Sequence, residues 1–178
     1  MIGYNLICST QQRFVEDARA ELQFLAESFL NLDVVTKSFK YPGLFLGKVS
    51  GNPKILTRGL RDALTNGEFT VQFLLKVVPI DAFVETDLEF LPVHVVPLVE
   101  ERMSPGEDYK IHLRRRSVDV AGTAVVESVA AAIPDHFNVN LEKPRWIIWL
   151  EIFHRHTGIA LLQGGDIFKA FPARTNRP

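Results

Sequence analysis

Cysteine is almost absent from this sequence, since Cys8 is the only one among 178 residues. A single cysteine excludes an internal disulfide and a cysteine-based zinc cage, and it fits a reducing compartment. Long apolar runs are also missing: none exceeds five residues, so we expect no membrane span. The N-terminus lacks the basic and apolar regions of a secretory signal. These absences predict a cytoplasmic protein.

An excess of charge of one sign is missing as well, because the formal net charge is −1. A near-neutral total argues mildly against a nucleic-acid-binding protein, which usually has a basic footprint. The distribution of charge weakens this argument. Residues 81–108 hold eight acids and one base, whereas residues 109–178 hold six acids and ten bases. The second tract can attract a polyanion locally.

The motifs of several enzyme classes do not occur. We find no G-x-G-x-x-G after a strand, no G-x-x-x-x-G-K-[ST] and no G-x-S-x-G. His154 and His156 form the one metal-binding alternative, with Glu151 or Asp166 as a third ligand. Two histidines beside Arg155 at a turn are more typical of a basic patch. The sequence therefore favours a binding module that uses no cofactor and no metal over an enzyme.

The apolar content of 47%, with 23% charged residues, indicates a folded chain with a real core. Up to residue 80 the hydrophobic patterns predict the order β, α, β, β, α, β, which is that of a ferredoxin-like domain. Ser9 with Gln12 and Thr86 with Glu89 have the spacing of helix capping boxes, and Asn52 followed by Pro53 predicts the start of a second helix. A change to acid-rich composition near Asp81 predicts a domain boundary. We expect domains at 1–80 and 81–165, followed by a tail at 166–178.

One strand of the second domain carries most of the functional signal. Ile111 and Leu113 alternate with Lys110, His112 and Arg114, so one face is buried and the other is cationic. Arg115 and Arg116 extend the charge into a turn ahead of a helix predicted at 119–133. Cations delivered to a helix N-terminus suit phosphate binding. The alternative is an edge strand whose charges discourage aggregation, and residue types alone favour that alternative.

The second half resembles a THUMP domain. The resemblance lies in the basic strand 110–116, in Val139-Asn140-Leu141-x-x-Pro144, in the apolar strand 146–152 and in the ending 157–162. The opening residues 5–10, with the long helix after them, look like the ferredoxin-like domain that commonly precedes THUMP. The resemblance implies an α+β protein in which a ferredoxin-like domain is followed by an α/β THUMP domain with a mixed sheet.

Such a resemblance implies tRNA binding, often at the acceptor end, and presentation of the tRNA to a modifying activity. Most members are fused to a catalytic domain, and none follows here. The chain is therefore similar to a stand-alone branch, an adaptor that assists N4-acetylcytidine formation by a separate acetyltransferase. The segment 164–168 also looks like the ending of archaeal members of that branch.

The predicted function is that of a non-catalytic tRNA-binding adaptor that contacts a separate modification enzyme. Cations along the basic strand would bind phosphates, and His112 would hydrogen-bond sugar or base. Trp146 and Trp149 are more typical of core packing than of base stacking. The predicted RNA-binding residues are Lys110, His112, Arg114, Arg115, Arg116, Lys143, Arg145, His154 and Arg155. The last four are expected on loops near the basic strand. The alternative is a protein-interaction module in which the ferredoxin-like sheet docks a partner enzyme and RNA contact is only incidental. The acidic segment 85–108 could serve such docking.

Overall fold

The computed structural model describes residues 3–170, which form two α+β units. One unit comprises residues 3–80 together with 165–170, and the other comprises Asp81–Gly164. Each unit has its own five-stranded sheet and its own hydrophobic core. The predicted α+β fold class is confirmed. In the part of the chain that is described, no helix combines the length and apolarity that a bilayer span requires.

The N-terminal unit has the ferredoxin-like order predicted for it, in a fully antiparallel sheet. Its strands lie in the order β10-β4-β1-β3-β2. The elements are β1 (Leu6–Thr10), a 3₁₀ turn (Gln12–Phe14), α1 (Val15–Leu30), β2 (Val34–Ser38), β3 (Leu44–Val49), α2 (Pro53–Thr65), β4 (Leu74–Pro79) and β10 (Phe168–Lys169).

Helix starts in this unit show which local signals were correct. The side chain of Asn52 accepts a hydrogen bond from the Lys54 amide at 3.0 Å, so the predicted start of α2 is confirmed. The Ser9–Gln12 capping box is wrong, because α1 begins only at Val15 and has no side-chain cap. Cys8 is fully buried in β1, and burial raises the pKa of its thiol far above the usual range. We therefore regard this cysteine as an inert core residue.

The predicted tail at 166–178 needs correction for its first residues. Phe168 is fully buried and pairs with Val77 of β4, which adds β10 to the sheet edge. The buried carboxylate of Asp166 accepts two bonds of 2.6 Å from Arg58 of α2. The Arg58–Asp166 contact joins residues 108 positions apart, and the strand pairing also joins distant parts of the sequence, so no local pattern could predict them. Residues 171–178 of the predicted tail lie outside the described residues.

The C-terminal unit has a mixed sheet in the order β5-β9-β8-β6-β7. β6 runs parallel to β7 and β8, whereas β9 runs antiparallel to β5 and β8. The elements are β5 (Ala82–Glu85), α3 (Leu91–Arg102), β6 (Asp108–Arg115), α4 (Gly122–Ala132), β7 (Asn138–Val139), β8 (Trp146–Ile152) and β9 (His156–Leu162).

Both helices of this unit pack on one face of the sheet. The core contains Val95 and Val99 from α3, Val125 and Val129 from α4, and alternate residues of β8 and β9. The Thr86–Glu89 capping box is wrong, since α3 begins at Leu91 without a side-chain cap. Instead, the Asp87 carboxylate accepts the amide N–H of Glu89.

The strand directions give this sheet two distinct edges. We call the edge where β6 and β8 end, at Arg115 and Ile152, the carboxyl edge, and the edge where they begin, at Asp108 and Trp146, the amino edge. β5 also ends at the carboxyl edge, because Glu85 pairs with the first residue of β9. Since α3 follows β5 and α4 follows β6, both helices have their N-termini at the carboxyl edge. That edge receives the positive ends of two helix dipoles.

Candidate nucleic-acid interface

Three consecutive arginines lie where β6 ends at the carboxyl edge. The amide of Arg116 donates to the carbonyl of Ile152 at 2.8 Å, which extends the ladder one residue beyond the strand. Ser117 then adopts a left-handed conformation with φ of 53°, and the chain turns toward α4. The turn lines an open cavity of about 470 Å³. Its lining residues are Leu113, Arg114, Arg115, Arg116, Ser117 and Val118.

Arg114 has a carboxylate directly across the sheet but does not pair with it. Its register partner on β8 is Glu151. Both oxygens of that carboxylate already accept other bonds: Oε1 accepts from Nε of Arg116 at 2.8 Å, and Oε2 accepts from the indole of Trp149 at 3.2 Å. Within residues 3–170, Arg114 forms no ion pair. Its guanidinium is therefore available to an external anion.

Arg116 is held by the carboxylate that Arg114 does not use. Glu151 is only 1% exposed, whereas the side chain of Arg116 is 25% exposed. Only Nε of the guanidinium contacts the acid, and across the described chain neither terminal nitrogen forms a hydrogen bond. Arg116 therefore satisfies a buried charge and can still contact a ligand.

Arg115 lies over the first turn of α4. One of its terminal nitrogens donates to the carbonyl of Val120, and its Nε lies 3.5 Å from where a Cβ on Gly122 would stand. The helix runs from Gly122 to Ala132, so the prediction of 119–133 began three residues too early. No side chain caps the N-terminus of α4, which leaves first-turn N–H groups beside Arg115. This arrangement is the one that favours an anion.

Arg155 extends the cationic surface and His154 lies beside it, because the turn between β8 and β9 lies at the same edge. Both are exposed, and the carbonyl of Arg155 accepts the amide of Thr86. The neighbouring segment before α3 is acidic and exposed. Its acids are Glu85, Asp87 and Glu89. The carboxyl edge thus has a basic part on β6 and β8 and an acidic part on β5.

Lys143 and Arg145 were predicted on loops near the basic strand, but the structure places them at the amino edge. β8 has seven residues, so its two ends, one at each edge, lie about 20 Å apart. Arg145 pairs with Glu107 at 3.0 Å, and Glu107 also accepts the Trp146 indole at 2.6 Å. Arg145 is therefore engaged in a network of the sheet itself.

Two acids of the amino edge have lowered pKa values. The Trp146 indole is the main cause for Glu107, followed by the Ser104 amide. For Asp108 the main cause is the amide of Arg145, which donates at 2.6 Å, followed by the side chain of Asn140. Each donor stabilises the charged carboxylate. At the amino edge, each of these two acids is thus held by several donors.

Lys110 and His112 lie between the two edges, on the same face as Arg114. Lys110 pairs in register with Ile147, and His112 with Trp149. The His112 ring stacks on the Trp149 ring with a centroid distance of 4.1 Å. Trp149 is only 4% exposed, so it packs in the interior. The structure therefore places His112 against a buried ring in mid-strand.

Glu151 holds Arg116 in the candidate site, and the prediction of RNA-binding residues did not include it. The signal was present, since it is the only charged residue in the apolar strand 146–153. A buried carboxylate requires a charged or hydrogen-bonding partner. The arginines of the basic strand were candidates for that partner. For the metal alternative, both proposed third ligands are paired with arginines: Glu151 with Arg116 and Asp166 with Arg58. No group of three or more potential metal ligands occurs among residues 3–170.

Comparisons with known proteins identify the second unit. Residues 85–162 match the THUMP domain, so a THUMP domain is present in this chain. The match extends from the last residue of β5 to the last residue of β9 and includes both helices, the basic strand and the cavity. No curated protein sequence matches the chain.

Several solved structures have a similar fold. A 4-thiouridine synthetase in complex with RNA and bound ATP aligns with a TM-score of 0.58 and 12% identity, over 93% of this chain and 42% of its own. PH1313 from Pyrococcus horikoshii Ot3 aligns with a TM-score of 0.57 and 14% identity, over 90% of this chain and 55% of its own. TrmN from Thermus thermophilus aligns with a TM-score of 0.55 and 12% identity, over 88% of this chain and 44% of its own. The chain spans about half of these proteins or less, and the likeness shows the fold.

Proposed function

We propose that this chain binds tRNA through the carboxyl edge of its THUMP domain and presents it to a separate modification enzyme. The observation that carries the proposal is the convergence of Arg114, Arg115 and Arg116 with the uncapped start of α4 around one cavity. Support also comes from the fold likeness to a 4-thiouridine synthetase whose structure contains RNA.

The chemistry of the cavity suits the RNA backbone. A guanidinium is planar and always charged, and it can contact a phosphate with two parallel hydrogen bonds. Helix N–H groups add donors that need no side-chain rearrangement. A-form RNA hides its base edges in a deep major groove, so recognition by shape and at single-stranded ends is expected. We propose the acceptor end of tRNA as the bound region.

We propose that the chain is not itself an enzyme. The polar groups that line the cavity are guanidiniums and the Ser117 hydroxyl, and none of them is a general base. Such a set binds and orients an anion. The modification would then be carried out by a partner, for which we propose an acetyltransferase that forms N4-acetylcytidine.

A salt titration of tRNA binding tests the proposed surface. Arg114→Ala/Arg115→Ala removes two cations from the carboxyl edge and leaves the Arg116–Glu151 pair intact. The matched control, Lys143→Ala/Arg145→Ala, removes two cations from the amino edge. We expect the first variant to lose about tenfold or more in affinity and its salt slope to fall by about 1.5 to 2. The control should stay within about twofold of the wild type. Equal effects of the two variants would contradict the assignment.

Mass spectrometry of cellular tRNA tests the proposed modification. We expect N4-acetylcytidine to disappear when the chain is deleted and to return with the wild type but not with Arg114→Ala/Arg115→Ala. If a different modified nucleotide disappeared, the adaptor role would stand and acetylation would be wrong. Unchanged modification would contradict the adaptor role.

A specific observation favours a second function, docking of a partner protein. Phe90 and Val93 at the start of α3 are 57% and 62% exposed, and they adjoin the acids Glu85, Asp87 and Glu89. An exposed apolar pair with an acidic rim suits a basic protein surface. Phe90→Ser/Val93→Ser should abolish capture of the partner enzyme and leave tRNA affinity unchanged. Loss of tRNA binding instead would remove this second function.

A further inference from the structure

We infer that Glu151 is a positioning residue for tRNA binding, because its buried carboxylate sets the orientation of the Arg116 guanidinium. The inference rests on the proposed function, in which the carboxyl edge binds RNA phosphate. It assigns a role in an RNA interface to an acid, the residue type that such an interface normally excludes.

Arg116 is fixed at two points along its length. Its amide donates to Ile152, and its Nε donates to Oε1 of Glu151, both at 2.8 Å. Glu151 is itself fixed, since it is 1% exposed and its second oxygen accepts the Trp149 indole. Trp149 in turn stacks on His112. The long arginine side chain is therefore held by the strand that neighbours its own.

Because Glu151 contacts only Nε of Arg116, the two terminal nitrogens of the guanidinium remain available to the ligand. Of its five N–H groups, four are on the two terminal nitrogens, and these match two oxygens of one phosphate. Arg116 also lines the cavity at the end of β6. A side chain that is already ordered loses less conformational entropy when a phosphate binds. Such ordering is worth about threefold to tenfold in affinity.

Electrostatics and positioning make opposite predictions for Glu151→Gln. The substitution removes one negative charge beside the proposed phosphate site, so electrostatics alone predicts tighter binding of tRNA. Positioning predicts weaker binding, because a neutral amide orients the guanidinium less firmly than a carboxylate does. We expect affinity to fall about threefold to tenfold, with the salt slope unchanged because no cation is lost.

The experiment compares Glu151→Gln with Glu107→Gln in tRNA titrations at several salt concentrations. Glu107 also pairs with an arginine of this domain but lies at the amino edge, so Glu107→Gln should leave affinity unchanged or slightly raised. Unchanged or tighter binding by folded Glu151→Gln would overturn the positioning role. In that case the proposed function still stands if Arg114→Ala/Arg115→Ala weakens binding, and it fails if that variant binds as the wild type does.

Arg116→Lys keeps the inference testable if Glu151→Gln does not fold. The substitution keeps the charge and an ion pair with Glu151 but removes the planar fork. We expect a threefold to tenfold loss of affinity at an unchanged salt slope. Wild-type affinity in Arg116→Lys would overturn the inference, because it would show that the charge at this position is sufficient for tRNA binding.

Discussion

The two edges of the C-terminal sheet contain similar residues in different states. Each has cations at the ends of the same parallel strands, β6 and β8. At the amino edge, Arg145 pairs with Glu107, and that acid also accepts the Trp146 indole. At the carboxyl edge, one buried acid holds Arg116 by a single nitrogen and leaves Arg114 unpaired among the described residues. A count of basic residues alone would not reveal this difference in pairing.

The difference lies in how many acceptors each cation faces. The amino edge has two carboxylates within its turn and strand start, and their lowered pKa values show that donors surround them. The basic part of the carboxyl edge, on β6 and β8, has one carboxylate, that of Glu151, and both of its oxygens are occupied. Cations in excess of acceptors next to helix N-termini form an anion site. Cations matched by acceptors form part of the structure.

The largest expected effect is on stability, from Arg116→Ala. This variant leaves the buried Glu151 carboxylate without its cation, which costs about 3 kcal/mol in the free energy of unfolding. Arg145→Ala breaks a more exposed pair and should change stability little. Urea unfolding of both variants measures the difference. Equal loss in the two variants would show that the edges are alike.

A glycine lies near the turn at each edge of the sheet, and replacing each one with alanine tests how the two turns differ. Gly106, in the turn at the amino edge, has φ of +86°, so Gly106→Ala should destabilise the protein by about 1 to 2 kcal/mol. Gly122, at the start of α4, has no such restriction, and an added Cβ would be 3.4 Å from Leu113 Cδ2. Gly122→Ala should stabilise by about 0.5 kcal/mol. Thermal unfolding measures the direction of each change in stability. A destabilised Gly122→Ala would show that Arg115 packs too tightly for the added methyl group.

The smallest expected effect is the loss of stability when the pH is lowered and the acids of the amino edge become protonated. The pKa values of Glu107 and Asp108 are lowered in the folded state, so their stabilising effect is present above the unfolded values of about 4.3 and 3.9. It is lost as the pH falls through the folded pKa values. The indole N–H signal of Trp146 should shift between pH 6 and pH 3 in proton–nitrogen spectra, and Trp146→Phe assigns it. An unshifted signal in folded protein would contradict the role of the indole.

Local patterns in the sequence predicted much of the fold. The alternation in β6 gave the correct face for Lys110, His112 and Arg114, and Asn52 with Pro53 marked a real helix start. The capping boxes failed because their spacing says only that two side chains can bond. Whether the helix begins there depends on tertiary packing. The same limit applies to α4, whose start depends on the turn at Ser117.

The candidate site depended on contacts that sequence spacing does not show. The pair of Arg116 and Glu151 spans 35 positions and needs the parallel register of β6 and β8. The position of Lys143 and Arg145 was within reach of sequence reasoning. A helix between two strands predicts a parallel crossover, which places the residues before one strand far from those after the other. Applying that rule would have separated these two residues from the arginine triplet.

The strand β10 has a consequence for how the protein is made. Residues 165–170 complete the sheet that begins at residue 6, so the THUMP unit is encoded as an insertion inside the ferredoxin-like unit. During synthesis, the residues of the first unit that emerge early must wait for Asp166 and Phe168, while all of 81–164 emerges as one block. The part of the chain that is translated first is thus completed last.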